Sequence, residues 1–336
     1  MKRTLAAVFA VCCLARPAAA AVLDQVRTAG TLRCGLVVEE NEYNKDDRHG
    51  GLAALGTEIC KAVAAATLGD AAKLRLLAYP SELEGLTGLA AGEADLLLGA
   101  TPSASNLGVH KVGFGPPVFF DAQGFMVNRA SGISGIRDLA GRTVCFIDGT
   151  DYQPTLAWTM QAHGIAYVPF PFQEEGEMDA ALMMGRCDAE TADQSKLAEK
   201  RAAFRGRAGQ FVLLPELLTL DPVAPAYAQG DPQWAAVVDW TVYALLQAEA
   251  GGVTHDNIAS MRGSDDPTVQ ALLGVDAAAG RALGLPSDWA AKAIAAVGNY
   301  GEIYARTVGP GTPLNLPRGL NALWRHDGLM RPLPVR

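Results

Sequence analysis

Gly30-Thr31-Leu32-Arg33-Cys34-Gly35-Leu36-Val37-Val38 decides how the rest of the chain is read. The apolar run 32–38 is short, holds two valines and follows a glycine turn, which predicts a strand. Working outward, residues 57–68 set Ile59, Val63 and Ala66 on one helical face. Residues 74–79 read as a strand, 82–91 as a helix and 95–98 as a strand, an alternation that predicts an α/β sheet. A second series begins at 124–128 and continues with strands at 143–147, 166–170 and 187–191. Its helices follow Gly149-Thr150, occupy 177–184 and follow Asp193. Beyond Pro222 helix dominates. Residues 234–250 are long and amphipathic, with Trp234, Val237, Val238, Leu245 and Leu246 as core candidates, and 288–305 reads as another helix before the Pro/Gly-rich loop 309–317. Crossings between the two α/β units are expected near 120–123 and 220–225, which returns the C-terminal helices to the first unit.

Composition agrees with two packed units. The 336 residues are 49% hydrophobic and 19% charged, below the roughly 25% charged share of an average soluble protein. The formal net charge of −8 argues against the basic surfaces that track phosphate backbones, so nucleic acid is not an expected partner. No internal repeat and no low-complexity stretch interrupts the pattern.

The first twenty residues stand apart. Lys2 and Arg3 precede an apolar run ending near Ala15, and Ala18-Ala19-Ala20 closes it with small residues, as in a cleaved secretory signal. The run is about half the roughly 20 residues that a spanning helix needs, and no other apolar run is expected to span a membrane. Neither Cys12 nor Cys13 follows the small residue that a lipidation site requires. Removing residues 1–20 deletes Lys2, Arg3 and Arg16 and no acidic residue, which takes the charge from −8 to −11.

Export also changes the cysteine arithmetic. Cys34, Cys60, Cys145 and Cys187 remain, an even number in an oxidising compartment, which suggests disulfides. Three connectivities are open; the sequence-local pairing Cys34–Cys60 and Cys145–Cys187 closes one loop in each half. A zinc site would want paired cysteines or histidines at short spacing, and none of the four has such a neighbour.

The P-loop, the dinucleotide G-x-G-x-x-G, the G-x-S-x-G elbow and H-E-x-x-H are absent from the sequence. The histidines are scattered, and Glu39, Glu40 and Glu42 read as a solvated acidic loop. No cofactor, metal or catalytic constellation is expected, and the chain reads as a non-enzyme.

Longer motifs are specific. Leu23-Asp24-Gln25-Val26, Gly30-Thr31-Leu32-Arg33-Cys34-Gly35, Glu58-Ile59-Cys60-Lys61-Ala62-Val63-Ala64, Ala91-Gly92-Glu93-Ala94-Asp95 and Gln123-Gly124-Phe125-Met126-Val127 together resemble the family-3 extracellular solute-binding proteins. Gly185-Arg186-Cys187-Asp188-Ala189, Thr191-Ala192-Asp193-Gln194-Ser195, Gln229-Gly230-Asp231-Pro232-Gln233-Trp234 and Arg318-Gly319-Leu320-Asn321-Ala322-Leu323-Trp324 are similar to the general L-amino-acid-binding branch of that family. The resemblance runs from about Leu23 to Arg336, and the four cysteines fall at family positions. It implies a type 2-like, two-lobed periplasmic binding protein of the α/β class. Residues 1–20 would be the signal, 21–122 plus 225–336 one lobe with a C-terminal helical extension, and 123–224 the other. Two hinge crossings would let the lobes close on a ligand.

The resemblance also carries site residues. Gly149 and Thr150 match the helix-start motif that holds a ligand carboxylate; exposed N–H groups at a helix start favour an anion on physical grounds, while the local alternative is an ordinary turn and cap. Asp193 matches the carboxylate that pairs with the ligand ammonium, and its local alternative is a helix N-cap. Tyr43 matches a loop aromatic that packs on the ligand side chain, with a merely exposed aromatic as the alternative. Thr101 closes the strand-end motif Leu98-Gly99-Ala100-Thr101-Pro102, where the family has a Ser-Arg-Asn-Thr-Thr-type sequence. The arginine that follows in the family and clamps the α-carboxylate would fall in 103–107, where this chain has none. Neither Asn106 nor Lys111 reproduces a bidentate clamp.

Two functions follow from the resemblance. One is an ABC-importer receptor that carries a small polar solute, an amine-bearing compound or modified amino acid, to a transporter permease. The other is a non-transport accessory or sensor that binds a periplasmic protein partner; an enzyme on the same fold is a third, lesser reading.

Overall fold

The structure, a computed structural model, describes residues 21–38, 51–204 and 206–335. Residues 1–20, expected to be a signal, the acidic run containing Glu39, Glu40 and Glu42, and Tyr43 lie outside the described residues.

Helix α1 (Val22–Ala29) leads through Gly30, in the left-handed region at φ 66°, into strand β1 (Leu32–Val37). Helix α2 (Gly51–Leu68), β2 (Leu74–Tyr79), α3 (Glu82–Ala90) and β3 (Leu96–Ala100) follow. β1 lies between β2 and β3, parallel to both, as expected of strands joined by helical crossovers. Helix α4 (Ala104–Val109) and the short strands β4 (Val112–Phe114) and β5 (Phe119–Asp121) lead to the second sheet.

That sheet is built from β6 (Gln123–Asn128), β7 (Thr143–Ile147), β8 (Val168–Phe172), β9 (Ala189–Asp193) and β10 (Phe211–Leu213), in the order β10-β6-β9-β7-β8. Helices α5 (Tyr152–Ala162), α6 (Glu175–Met183) and α7 (Gln194–Ala203) cover it. β8 reads Val-Pro-Phe-Pro-Phe and sits at the edge, where two missing N–H groups cost no ladder bonds. The observed strand is 168–172, two residues beyond the expected 166–170.

Strand β11 (Asp221–Ala228) returns to the first sheet. Its first three residues pair with β5, and Ala226–Ala228 pair with β4 while Ala224 and Ala226 pair with β3. The irregularity between Ala224 and Ala226 falls at Pro225, which has no N–H to give. Helix α8 (Pro232–Ala250) then begins the C-terminal helical set. The expected single helix 288–305 is two, Trp289–Val297 and Tyr300–Thr307. Gly298 at φ 72° breaks the first, and Asn299 and Glu302 form a capping box that starts the second.

Each sheet is packed on both faces. The first carries a large core that includes Trp234, Ile59 and Ile294 on one face and a smaller cluster around Leu86, Leu97 and Ala226 on the other. Phe125, Phe146 and Leu156 fill one face of the second sheet, and Met126, Cys145 and Leu197 the other. Helix α2 starts at Gly51, earlier than the expected 57, and is long and apolar enough to cross a membrane. It is a core helix of the first lobe, packed against Trp289–Val297. By length and composition this corrects the expectation that no run beyond residues 1–20 reaches spanning length. Cys34 is bonded to Cys60, joining β1 to α2, and Cys145 to Cys187, joining β7 to the turn before β9.

The C-terminal segment binds the crossings. Asn321 Nδ2 donates to Phe120 O at 3.0 Å while its Oδ1 accepts from Phe120 N at 2.7 Å. Arg201 on α7 donates to Leu314 O.

One polar cluster lies inside the second lobe. Lys200 Nζ of α7 is 2.7 Å from Glu190 Oε1 of β9, 3.3 Å from Asp179 Oδ1 and 3.6 Å from Glu175 Oε2 of α6, with Lys200, Glu190 and Asp179 essentially without solvent exposure. Burial pushes the Glu190 carboxyl up, Lys200 pulls it down and Asp179 pushes it up further. Removing the lysine leaves buried carboxylates unpaired, which typically costs about 3–5 kcal/mol. Lys200→Met is therefore expected to lower the urea-unfolding free energy by about that amount, and an unchanged midpoint would show that the cluster contributes nothing to holding α6, α7 and β9 together.

Candidate ligand-binding cleft

The two sheets point the C-terminal ends of β1, β3, β7 and β9 at one another. Between them lies a cleft of about 540 Å³, at the carboxyl ends of strands where open α/β sheets bind ligands. Val37, Glu82, Gly99 and Thr101 line it from the first lobe, Ile147, Thr150, Tyr152 and Asp193 from the second, and Asp121, Gln123 and Asp221 from the crossings.

On the second-lobe wall the candidates separate by role. Gly149 has φ 76°, a left-handed turn that glycine adopts at low cost, and it is not on the cleft surface. Thr150 is on that surface, with its hydroxyl donating to Ile147 O at 2.7 Å. Helix α5 starts at Tyr152 with Asp151 before it, and Asp151 makes no side-chain cap. Asp193 holds the N-cap position of α7 without a side-chain capping bond. Its Oδ2 accepts from the Tyr152 hydroxyl at 2.9 Å, and burial together with the Asp193 charge pushes that phenol well above its ordinary range. The local alternative for Asp193, a side-chain cap, is not what the carboxylate does.

Lys196 also reaches the cleft and pairs with Glu175 at 3.2 Å. Burial would raise the Glu175 carboxyl, but Lys200 and Lys196 outweigh it and hold it below its usual value.

The first-lobe wall contains Thr101, at the end of β3. Residues 103–107 begin α4, capped by Ser103, whose hydroxyl accepts from Asn106 N at 3.0 Å. Asn106 Nδ2 donates to Glu82 Oε1 at 2.7 Å and to Thr101 O at 3.0 Å. Lys111 is not on the cleft surface, and no arginine is among the described lining residues. Tyr43 lies outside the described residues.

Sequence reasoning missed Glu82, Tyr152, Gln123 and Asp121 as cleft residues. Tyr152 had a weak signal two positions after Thr150. Glu82 had none, because it reads as an ordinary helix start.

A second cavity of about 510 Å³ lies behind the crossings, lined by residues such as Phe119, Leu214, Tyr304 and Pro317. Its arginines are engaged, Arg201 with Leu314 O and Arg318 with Glu249 and Asn321 O. None of the described sequence candidates lines it, so the strand-end cleft is the candidate site.

Asp121 ties the crossing to the cleft. It is 7% exposed and accepts from Ala122 N at 2.9 Å, from Ser195 N at 3.2 Å and from the Ser195 hydroxyl. Burial pushes its carboxyl up to about 6, the Ser195 bond opposes this and the Asp193 charge adds to it. A folded-state value above the unfolded one means full stability at low pH, lost as pH rises through the window from about 4 to about 6. The loss amounts to about 3 kcal/mol. Asp121→Asn should therefore match the wild type near pH 4 and exceed it above pH 7 by about that amount in denaturant titrations; a difference that does not change with pH would contradict the assignment.

No family model matches the chain. Full-length relatives do. The general L-amino acid-binding periplasmic protein AapJ of Rhizobium johnstonii is 38% identical over 328 residues, covering 96% of this chain and 95% of that protein. The glutamate/glutamine/aspartate/asparagine-binding protein BztA of Rhodobacter capsulatus is 36% identical over 325 residues, covering 96% of each. Among solved structures, an ABC transporter periplasmic binding protein from Brucella ovis with glutathione bound is 37% identical, covers 95% of this chain and all of its own, and superposes with a TM-score of 0.80. Identity at this level over nearly the whole length, on the same two-lobed fold, means that the chain belongs to the family-3 periplasmic amino-acid-binding proteins.

Proposed function

We propose that the chain is the periplasmic solute-binding component of an amino-acid-type ABC importer, closing its lobes on a small polar, amine-bearing ligand and presenting it to a transporter permease. The relatives' names support the periplasm and amino-acid binding. Residues 1–20 then serve as the export signal, 21–122 with 225–336 as one lobe and 123–224 as the other.

The observation that carries the site is the Asp193 carboxylate on the cleft wall, oriented by the Tyr152 hydroxyl and not spent on capping α7. A carboxylate so placed pairs with a ligand ammonium. Thr150 and Thr101 line opposite walls of the same cleft, and Gly149 shapes the turn that carries Thr150. Tyr43 is assigned to the same site on the family motif alone. The accessory reading, with a periplasmic protein as partner, draws no support from these relatives.

Calorimetry on the chain from Ala21 onward, against amino acids, their amides, polyamines and small organic acids, tests this. One of these solutes should bind, and Asp193→Ala should weaken it by about 2–5 kcal/mol, since truncation leaves the ammonium unpaired. A ligand whose affinity survives Asp193→Ala would remove Asp193 from the site, and the absence of any solute would sink the receptor reading.

A further inference from the structure

Behind the second-lobe wall, the interior cluster around Lys200 holds more acid than base. Lys200 Nζ of α7 gives its hydrogen bond to Glu190 Oε1 of β9 at 2.7 Å. Asp179 Oδ1 and Glu175 Oε2 of α6 lie 3.3 and 3.6 Å from the same ammonium without a hydrogen bond. Asp179 Oδ2 and Glu190 Oε2 receive none from any described residue either. Glu190 and Asp179 are fully buried, and a buried acceptor left without a donor is costly.

The charges show the same deficit. Lys200 and Lys196 answer three carboxylates, Glu175, Asp179 and Glu190. With every group ionised the cluster would hold one uncompensated negative charge at low dielectric. The other surroundings of Glu190 supply no counter-charge. Its cross-strand neighbours are Met126 of β6 and Cys145 of β7, which is in a disulfide. Glu174 and Glu177 beside and on α6 are exposed, while Glu199 and Arg201 of α7 face the cleft and the cavity behind the crossings. Helix α5 covers the opposite face of the sheet.

One proton removes both deficits. Glu190 and Asp179 stand within hydrogen-bonding reach of each other, and two carboxyl groups bond only when one of them is protonated: its O–H donates to an oxygen of the other, and repulsion becomes attraction. The position matters because α7 starts beside Asp193 and carries Lys196 to the cleft surface, where Glu175 pairs with it at 3.2 Å.

We propose that the second lobe holds one proton between Glu190 and Asp179 at neutral pH, and that this proton helps to seat α7, with its cleft-facing first turn, on β9 and α6. Its loss leaves two like charges between α6 and β9, so alkaline pH loosens that seat. The device goes beyond the receptor reading and stands whether or not the cleft is the ligand site.

The Glu190 carboxyl is pushed from 4.5 up to about 7. A folded value above the unfolded one means that its contribution is complete below pH 4.5 and is lost as pH rises through about 7. Over that window the folding equilibrium constant of the wild type should fall about 300-fold relative to Glu190→Gln, whose amide donates to Asp179 at every pH. Denaturant titrations of the chain from Ala21 onward read this ratio, from which Asp121 cancels because it titrates in both proteins. A ratio that does not change with pH would overturn the proposal. Amide-exchange protection of α7, corrected for intrinsic rates, should fall over the same window in the wild type and hold in Glu190→Gln; an equal fall in both would detach the proton from the seating of α7.

A further measurement needs no variant. NMR of the wild type with isotope-labelled glutamate carboxyl carbons should show one of them titrating near pH 7. If every glutamate carboxyl titrates in the ordinary range, the shared proton is absent and the proposal falls, whether or not the variants fold. Asp179→Asn, whose amide gives Glu190 a donor without a proton, should return that midpoint toward the ordinary range, and an unmoved midpoint would remove Asp179 as the partner.

Discussion

The two lobes depend on a short antiparallel ribbon. Phe119–Asp121 pairs with Asp221–Val223 in register, and these residues carry the chain between sheets in both directions. The ribbon fixes which strand ends face one another. Because Gln123 follows Asp121 by two residues and starts β6, and β6 is antiparallel to β9, the crossing itself sets Asp193 opposite Gln123 and brings the end of β9 to the cleft. Thr219 closes the return crossing by donating to Asp221 and accepting from Gln123 N. The cleft is thus a geometric product of strand register, and its acidic character comes from the side chains that this register exposes.

Charge is distributed differently inside the lobe and on its surface. Lys200 is surrounded by Glu190, Asp179 and Glu175, and Glu175 also reaches Lys196 at the cleft. This places the two lysines of α7 behind or beside the site, matched to acidic groups of α6 and β9. In a low-dielectric interior such a network is tolerated because the lysines offset most of the carboxylate charge and burial pushes Glu190 toward its neutral form.

Much of the architecture was legible in the sequence because it is carried by local patterns. Leu32–Val37, Leu74–Tyr79 and Thr143–Ile147 are short apolar runs between turn residues, and a run of that kind has few alternatives to a buried strand. The break at Gly298-Asn299 escaped because apolar residues continue at helical spacing across it, from Ile294 and Val297 to Ile303 and Tyr304, although the Asn-x-x-Glu capping box was there to be read. Thr150, Thr101 and Asp193 were found through motifs and do line the cleft. Glu82 was not, since its bond to Thr101 links positions 19 apart through the pairing of β1 with β3 and the packing of α3, and no local signal records such a meeting.

The Asn321 amide has a mechanical consequence. By accepting from Phe120 N and donating to Phe120 O, it treats one residue of the crossing as a neighbouring strand would. The C-terminal segment therefore acts as a splint on the outer half of the ribbon. The first-lobe half of the ribbon is thereby stiffened up to Phe120. Lobe closure would then swing the second lobe against a first lobe stiffened up to Phe120, with Thr101 and Glu82 on the stationary jaw and Asp193 on the moving one.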